Sequence, residues 1–190
     1  RSGSDWQEIL VIETATKKKL ADHVAWVKVS GIAWNGAGFY YSRYDAPPQT
    51  GKAYSAKNEN HKVYYHCLGY DQSADELIFE DPEHPQRFHF ADVTKDGRYL
   101  ILTISDRGTG KKGNALWIRD LKSGEKTFKP LIENFDDTFS VVDNVDDKLL
   151  VSTNKGAANW KVIRIDPNQP AEKFWKEILP EKTEPLDDVT

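Results

Sequence analysis

Short apolar runs that alternate with period two, each closed by Gly, Asn, Asp or Pro, recur along the whole chain and limit its fold more than any other feature. Ile9-Leu10-Val11-Ile12, Phe39-Tyr40-Tyr41, Val63-Tyr64-Tyr65, Tyr99 to Ile104, Leu116-Trp117-Ile118, Leu149-Leu150-Val151 and Trp160 to Ile165 are of this kind. Successive side chains of a strand point to opposite faces, so such a run buries one face and wets the other. Many of them in succession, separated by turn residues, read as an antiparallel all-β meander. Thr14 to His23 and Glu172 to Ile178 are the two weak helix candidates, and no longer helical period is present. Aromatic residues make up 12% of the chain and fit the pleated, half-buried surface of a sheet.

The turns carry their own chemistry. Asp96-Gly97, between Phe90 to Val93 and Tyr99 to Leu102, supplies the positive φ angles of a tight hairpin. Asn35 to Gly38 and Asn144 to Lys148 hold the same place before Phe39-Tyr40-Tyr41 and Leu149-Leu150-Val151. The rhythm is a repeat. With Val29, Phe88 and Thr138 as matching first-strand starts, the offsets are 59 and 50 residues. Third strands fall at Trp6 to Ile12, Val63 to Leu68, Leu116 to Asp120 and Trp160 to Ile165; fourth strands follow at Leu77 to Phe79, Thr127 to Ile132 and Phe174 to Leu179. Four strands in roughly fifty residues is how a propeller blade is written. A β-sandwich is the alternative architecture, but it does not call for the repeat. The chain is therefore expected to be a single partial β-propeller domain over 1–190, with about three and a half blades: 1–23 the end of one, then 24–82, 83–133 and 134–181, with 182–190 starting the next.

Charge and composition remove several functions. A formal net charge of −4 argues against a nucleic-acid partner, which needs clustered Lys and Arg, and Lys17-Lys18-Lys19 reads as solvated surface. No apolar run approaches the ~20 residues of a membrane span, so no membrane partner is expected. The chain opens Arg1-Ser2-Gly3-Ser4-Asp5-Trp6 and has no Met, so it reads as a piece of a longer protein, which leaves open whether it is cytoplasmic or periplasmic. Cys67 is the single cysteine, so neither an intrachain disulfide nor a thiolate cluster is expected.

Catalytic motifs are missing. A nucleophilic serine on a Gly-x-Ser-x-Gly turn is absent. Arg107 to Gly113 has the glycines and lysines of a phosphate-binding loop in the wrong order and reads as a hairpin loop. The histidines (His23, His61, His66, His84 and His89) show no metal-ligand spacing, and His66 and Cys67 point to opposite strand faces. The acidic clusters at Asp136-Asp137, Asp143 to Asp147 and Asp187-Asp188 lack calcium-loop spacing and read as turn residues. Neither a metal nor a cofactor is expected. Trp34, Trp117 and Trp160 recur at blade strands and read as core between blades; a sugar-binding role would also need convergent carboxylates.

Specific strings carry a resemblance. Ser2 to Trp6, Val27 to Trp34 with Gly38 to Tyr44, and above all His61-Lys62-Val63-Tyr64-Tyr65-His66-Cys67-Leu68-Gly69 with Gln72 and Asp75, followed by Asp96 to Leu100 and Leu116 to Leu121, resemble in order and spacing the N-terminal propeller of the prolyl oligopeptidase family. The resemblance spans nearly the whole chain. It implies a parent with a seven-bladed propeller capping an α/β-hydrolase domain. That domain holds a Ser-Asp-His triad and cleaves short proline-containing peptides. No catalytic residue would lie in this segment. By motif matching, Val29 and Phe88 would be substrate-proximal, and Thr109 would approach from a loop whose length departs from the family pattern. Implied partners are the absent hydrolase domain and proline-containing oligopeptides; separately, the half-count of blades leaves two apolar blade faces uncovered, so self-association of the chain is expected. The competing reading is a stand-alone propeller-type interaction module without catalysis.

Overall fold

Alternating β-branched and aromatic side chains do set the backbone. The computed structural model describes residues 5–46 and 58–186; Ser2 to Ser4 and Asp187-Asp188 lie outside them, as does the end of the expected 182–190 segment. Among the described residues thirteen strands follow one another: β1 (Gln7–Ile12), β2 (Lys19–Asn35), β3 (Gly38–Arg43), β4 (Lys62–Cys67), β5 (Glu76–Phe79), β6 (Arg87–Val93), β7 (Tyr99–Asp106), β8 (Asn114–Asp120), β9 (Lys129–Ile132), β10 (Phe139–Val145), β11 (Lys148–Thr153), β12 (Lys161–Ile165) and β13 (Lys176–Leu179). They form three sheets in chain order, β1 to β5, β6 to β9 and β10 to β13. The two weak helix candidates are not helices. Thr14 to His23 is a turn running into β2, and Glu172–Phe174 is one 3-10 turn before β13.

Two compact units divide the chain, Arg1–Asp92 and Val93–Thr190. In the second, Tyr99 and Ile101 of β7, Leu116 and Ile118 of β8 and Leu131 and Ile132 of β9 pack against Phe139 of β10, Leu149 and Val151 of β11 and Ile163 and Ile165 of β12. These are mostly i, i+2 pairs, so each strand commits one face to the core. Full burial of each such side chain contributes roughly 1.5–3 kcal/mol. Trp175 closes the cluster edge-on to Phe139, with its indole N–H on the Pro170 carbonyl at 2.7 Å.

The first unit is built around a bend. β2 runs without a break from Lys19 to Asn35, so the expected boundary between residues 23 and 24 falls inside a strand. No loop is needed because the backbone turns the corner through left-handed conformations at Trp26 (φ 61°) and Val29 (φ 53°). Register shows the same corner: between the pairs Val27–Arg43 and Ile32–Tyr41, five residues of β2 advance against two of β3. The first half of β2 pairs with β1 and the second half with β3. The two halves thus lie in different layers. Val11, Val24 and Val27 of the first layer pack on Phe39, Tyr41 and Tyr64 of the second. Trp34 is not core in its unit. It is 56% exposed although it lies opposite Phe39 on the same face of the sheet and touches that ring edge-on. Trp117 and Trp160 are half-buried.

Turns follow the sequence closely. Asp146 and Asp147, at φ 49° and 62°, join Val145 to its partner Lys148 as a two-residue turn of type I′. Gly97 has φ 68°, and Asp96 Oδ1 accepts from the Arg98 N–H and the Thr94 hydroxyl. With Asn144 donating to its other oxygen, Asp96 is held down at about 2. Among the described residues no helix is long and apolar enough to cross a membrane.

Candidate functional site

Val29 sits at the apex of the β2 bend. Its neighbours are pinned and its side chain is not: the Lys28 carbonyl accepts from His61 Nε2 at 3.1 Å, and Ser30 Oγ accepts from the Ser42 N–H at 2.7 Å. Val29 itself is 38% exposed. A β-branched residue in the left-handed region is a true outlier, held only where the surroundings over-determine it. Trp6 lies under the Lys28 ammonium at 5.1 Å and meets Trp26 and Tyr44 edge-on, so the corner is braced by rings. The Asp5 carboxylate accepts from Lys28 at 2.7 Å, and that hydrogen bond lowers its pKa.

Phe88 is half-buried on β6, edge-on to the His61 ring at 5.4 Å and near Phe90. One buried side chain, His61, therefore holds both the Val29 corner, through Lys28, and Phe88. Thr109 belongs to the second unit. It is exposed on the loop 107–113 between β7 and β8, where Gly108 N–H caps Asp106 at 2.9 Å and Lys111 pairs with Asp136.

His61 is also part of a plan repeated along the chain. Asn60 N–H donates to the Pro85 carbonyl, and the His61 ring then accepts from the His89 N–H. Gly113 N–H donates to the Phe135 carbonyl, and Asn114 Oδ1 accepts from the Phe139 N–H. Asn159 is the third instance: its Nδ2 donates to the Lys182 and Thr183 carbonyls, and its carbonyl accepts from the Leu186 N–H. In each case the start of a third strand grips the chain some 22 to 28 residues on.

A second buried cluster belongs to the first unit alone. His66 is fully buried, with Nδ1 on Asp75 Oδ1 at 2.7 Å and Nε2 on Asp22 Oδ1 at 3.1 Å. Asp75 Oδ2 accepts from the Tyr41 hydroxyl at 2.6 Å, and Asp22 Oδ1 also accepts from the Gly69 N–H at 2.6 Å. Gln72 adds the last link, bonding the Ala25 N–H and carbonyl. Burial raises the Asp22 pKa, but the Gly69 N–H and His66 outweigh it and leave the carboxyl below its ordinary range. Burial and the Asp75 carboxylate drive the Tyr41 phenol well above its usual value. These bonds tie Asp22 and Ala25 of β2 to Tyr41 of β3, His66 of β4 and the segment Gly69 to Asp75, so the cluster braces the strands of the first unit. Among the described residues no group of three His, Cys, Asp or Glu is placed to hold a metal ion.

Sequence reasoning named Val29, Phe88 and Thr109 and gave all the histidines one ordinary structural role. It missed the separate jobs of His61 and His66. The legible signal for the first was position: Asn60-His61, Gly113-Asn114 and Asn159-Trp160 all stand at the start of a third strand.

The family model described as the prolyl oligopeptidase N-terminal β-propeller domain matches residues 1–190. A prolyl endopeptidase of Elizabethkingia meningoseptica is 40% identical over 186 residues, which are 97% of this chain and 26% of that protein. Prolyl oligopeptidase A of Amanita bisporigera is 34% identical over 205 residues, covering 95% of this chain and 26% of the relative. A solved structure from a study of two prolyl endopeptidases and their inter-domain dynamics superposes with a TM-score of 0.84 at 34% identity, covering 98% of this chain and 26% of that one. Apo prolyl oligopeptidase B from Galerina marginata superposes with a TM-score of 0.79 at 27% identity, over 96% of this chain and 26% of that one. The chain thus spans about a quarter of the length of the relatives it matches.

Proposed function

Because the chain belongs to the prolyl oligopeptidase N-terminal β-propeller domain family, we propose that it is the access-controlling part of a larger serine peptidase that cleaves short peptides after proline. The supporting observation is the family match along 1–190, with relatives named prolyl endopeptidase whose length this chain covers by 26%. The chemistry would reside in an α/β-hydrolase domain of the same parent, and this segment would contribute walls. A rigid antiparallel ring suits that task, since its inner strands line a channel.

In this reading Val29, Phe88 and Thr109 face the peptide. Val29 is apolar, partly exposed and held in a strained backbone, the kind of site where strain is retained for use. Phe88 presents a ring already propped by His61. Replacing Phe88 by Ala in the intact peptidase is expected to lower kcat/KM for a proline peptide about tenfold, mostly through KM, as loss of apolar contact common to ground and transition states does. Stopped-flow or steady-state kinetics check it. An unchanged KM would remove Phe88 from the substrate surface.

Self-association is a second proposal, favoured by one observation. Leu10, Ile12 and Ile32 are 47%, 57% and 48% exposed on one unit, an unusual set of large apolar side chains to leave in water. The isolated chain is expected to sediment as a dimer at micromolar concentration. A single monomeric boundary would count against it.

A further inference from the structure

The β4–β6 and β8–β10 junctions share a plan but not a chemistry. The second is made by an amide: Asn114 Oδ1 accepts from the Phe139 N–H and its Nδ2 donates to the Phe139 carbonyl, at 2.9 and 3.0 Å. The first is made by two imidazoles, the one side chain whose charge changes near neutrality. His61 Nδ1 accepts from the His89 N–H at 2.9 Å, so the ring's proton is on Nε2, where it serves the Lys28 carbonyl. His89 Nδ1 donates to the His61 carbonyl at 2.7 Å. Its Nε2 is buried with no hydrogen-bond partner among the described residues. The bond from the His89 N–H requires a neutral His61, and the buried Nε2 of His89 has no acceptor for a second proton.

We infer that the β4–β6 junction is an acid-sensitive latch, opening as pH falls below the ordinary histidine range, while the amide-built β8–β10 junction stays shut. A second proton on His61 would set an N–H against the His89 N–H it now accepts from. A second proton on His89 would put a charged N–H at the orphaned Nε2. The two rings are 0% and 1% exposed and stack at 6.3 Å, so two cations would also repel at close range. The surroundings offer little relief. Phe79 covers His89, and Tyr44, Phe88 and Phe90 surround His61. Of the charged groups acting on His89, Asp81 favours a proton, while Arg87 and His84 oppose it. Asp81 is itself committed to His84 and Arg87. Burial holds His89 below its usual pKa of about 6.5, the chief cause of its shift. The sign follows: above about 6.5 neither the closed nor the open form is protonated and closure is at full strength. Below it the open form takes up protons that the closed form refuses, so closure weakens about tenfold per pH unit for His89 until its depressed pKa is reached, while His61 resists a second proton because its Nδ1 must accept from the His89 N–H.

Hydrogen–deuterium exchange read by mass spectrometry, corrected for intrinsic rates, tests this at pH 7.5 and 5.0. Peptides from β4 and β6 are expected to lose at least tenfold in protection at pH 5.0, and those from β8 and β10 to keep theirs. The double variant His61→Asn, His89→Phe installs the pair found at Asn114 and Phe139, and its β4 and β6 peptides should then lose no protection. The latch is overturned if β4 and β6 protection in the wild-type chain is independent of pH, if both junctions lose protection equally, or if the double variant keeps the wild-type drop. Should the double variant not fold, ring-carbon NMR titration of the wild-type chain decides. Protonation of His61 or His89 at a pKa at or above the ordinary value, without loss of the fold, would refute the latch; a value below it, or protonation only on opening, would support it.

Discussion

His66→Ala is expected to remove about 3–5 kcal/mol of stability, the usual consequence of leaving buried charge without its partner. The deletion strands two carboxylates, Asp22 and Asp75, whose side chains are 3% and 1% exposed and which now share one imidazole. Neither can reach water without parting the layer formed by β1 and the first half of β2 from the layer formed by β3 and β4. In urea, with a slope of ordinary size for a small domain, the unfolding midpoint should fall by about 2 M. A fall under about 0.5 M would mean that the cluster adds little net stability. Acid should bring a related loss. The Asp22 carboxyl titrates below its ordinary value, so its contribution is complete above about pH 4 and disappears as pH falls through the depressed folded value.

Gly38→Ala should be comparably damaging for a different reason. Gly38 opens β3 directly opposite Cys67 of β4. A β-carbon there would come within 2.9 Å of the His66 carbonyl carbon and 3.0 Å of Cys67 Cα, both main-chain atoms that cannot swing aside. The strands would have to separate, at about 3 kcal/mol or more, the upper range for overpacking. Gly31 is the internal control. Nothing lies within 4 Å of a β-carbon built there, so Gly31→Ala should change stability by less than about 1 kcal/mol. Thermal or urea melts of the two variants side by side give the comparison, and equal effects would contradict the packing argument.

The strands were legible in the sequence because their signal is local. Period-two runs such as Tyr99 to Ile104 and Leu149 to Val151, and turn pairs such as Asp96-Gly97, need only their own neighbours to act. The β2 bend was not legible. Trp26 and Val29 take left-handed conformations that their side chains disfavour, and only tertiary contacts, with Trp6, Tyr44, Ser42 and His61, impose them. Exposure of Trp34 was missed likewise, since alternation fixes which residues share a face but not how far along that face the covering side chains reach. The buried polar groups lay furthest from view. His66 reaches Asp22 across 44 residues, and His61 reaches His89 across 28, so no short window contains either pair. For the proposed substrate surface, Val29 and Phe88 came from matching motifs, and His61, which props both, was found only once distances were known.

The most direct measurement of the proposed division of labour is turnover of a proline-containing chromogenic peptide by the purified chain. A chain that supplies access and walls but no triad should show no hydrolysis above buffer, with or without a serine-directed inhibitor. Turnover that survives repurification and is abolished by that inhibitor would place a nucleophile within these residues and contradict the account.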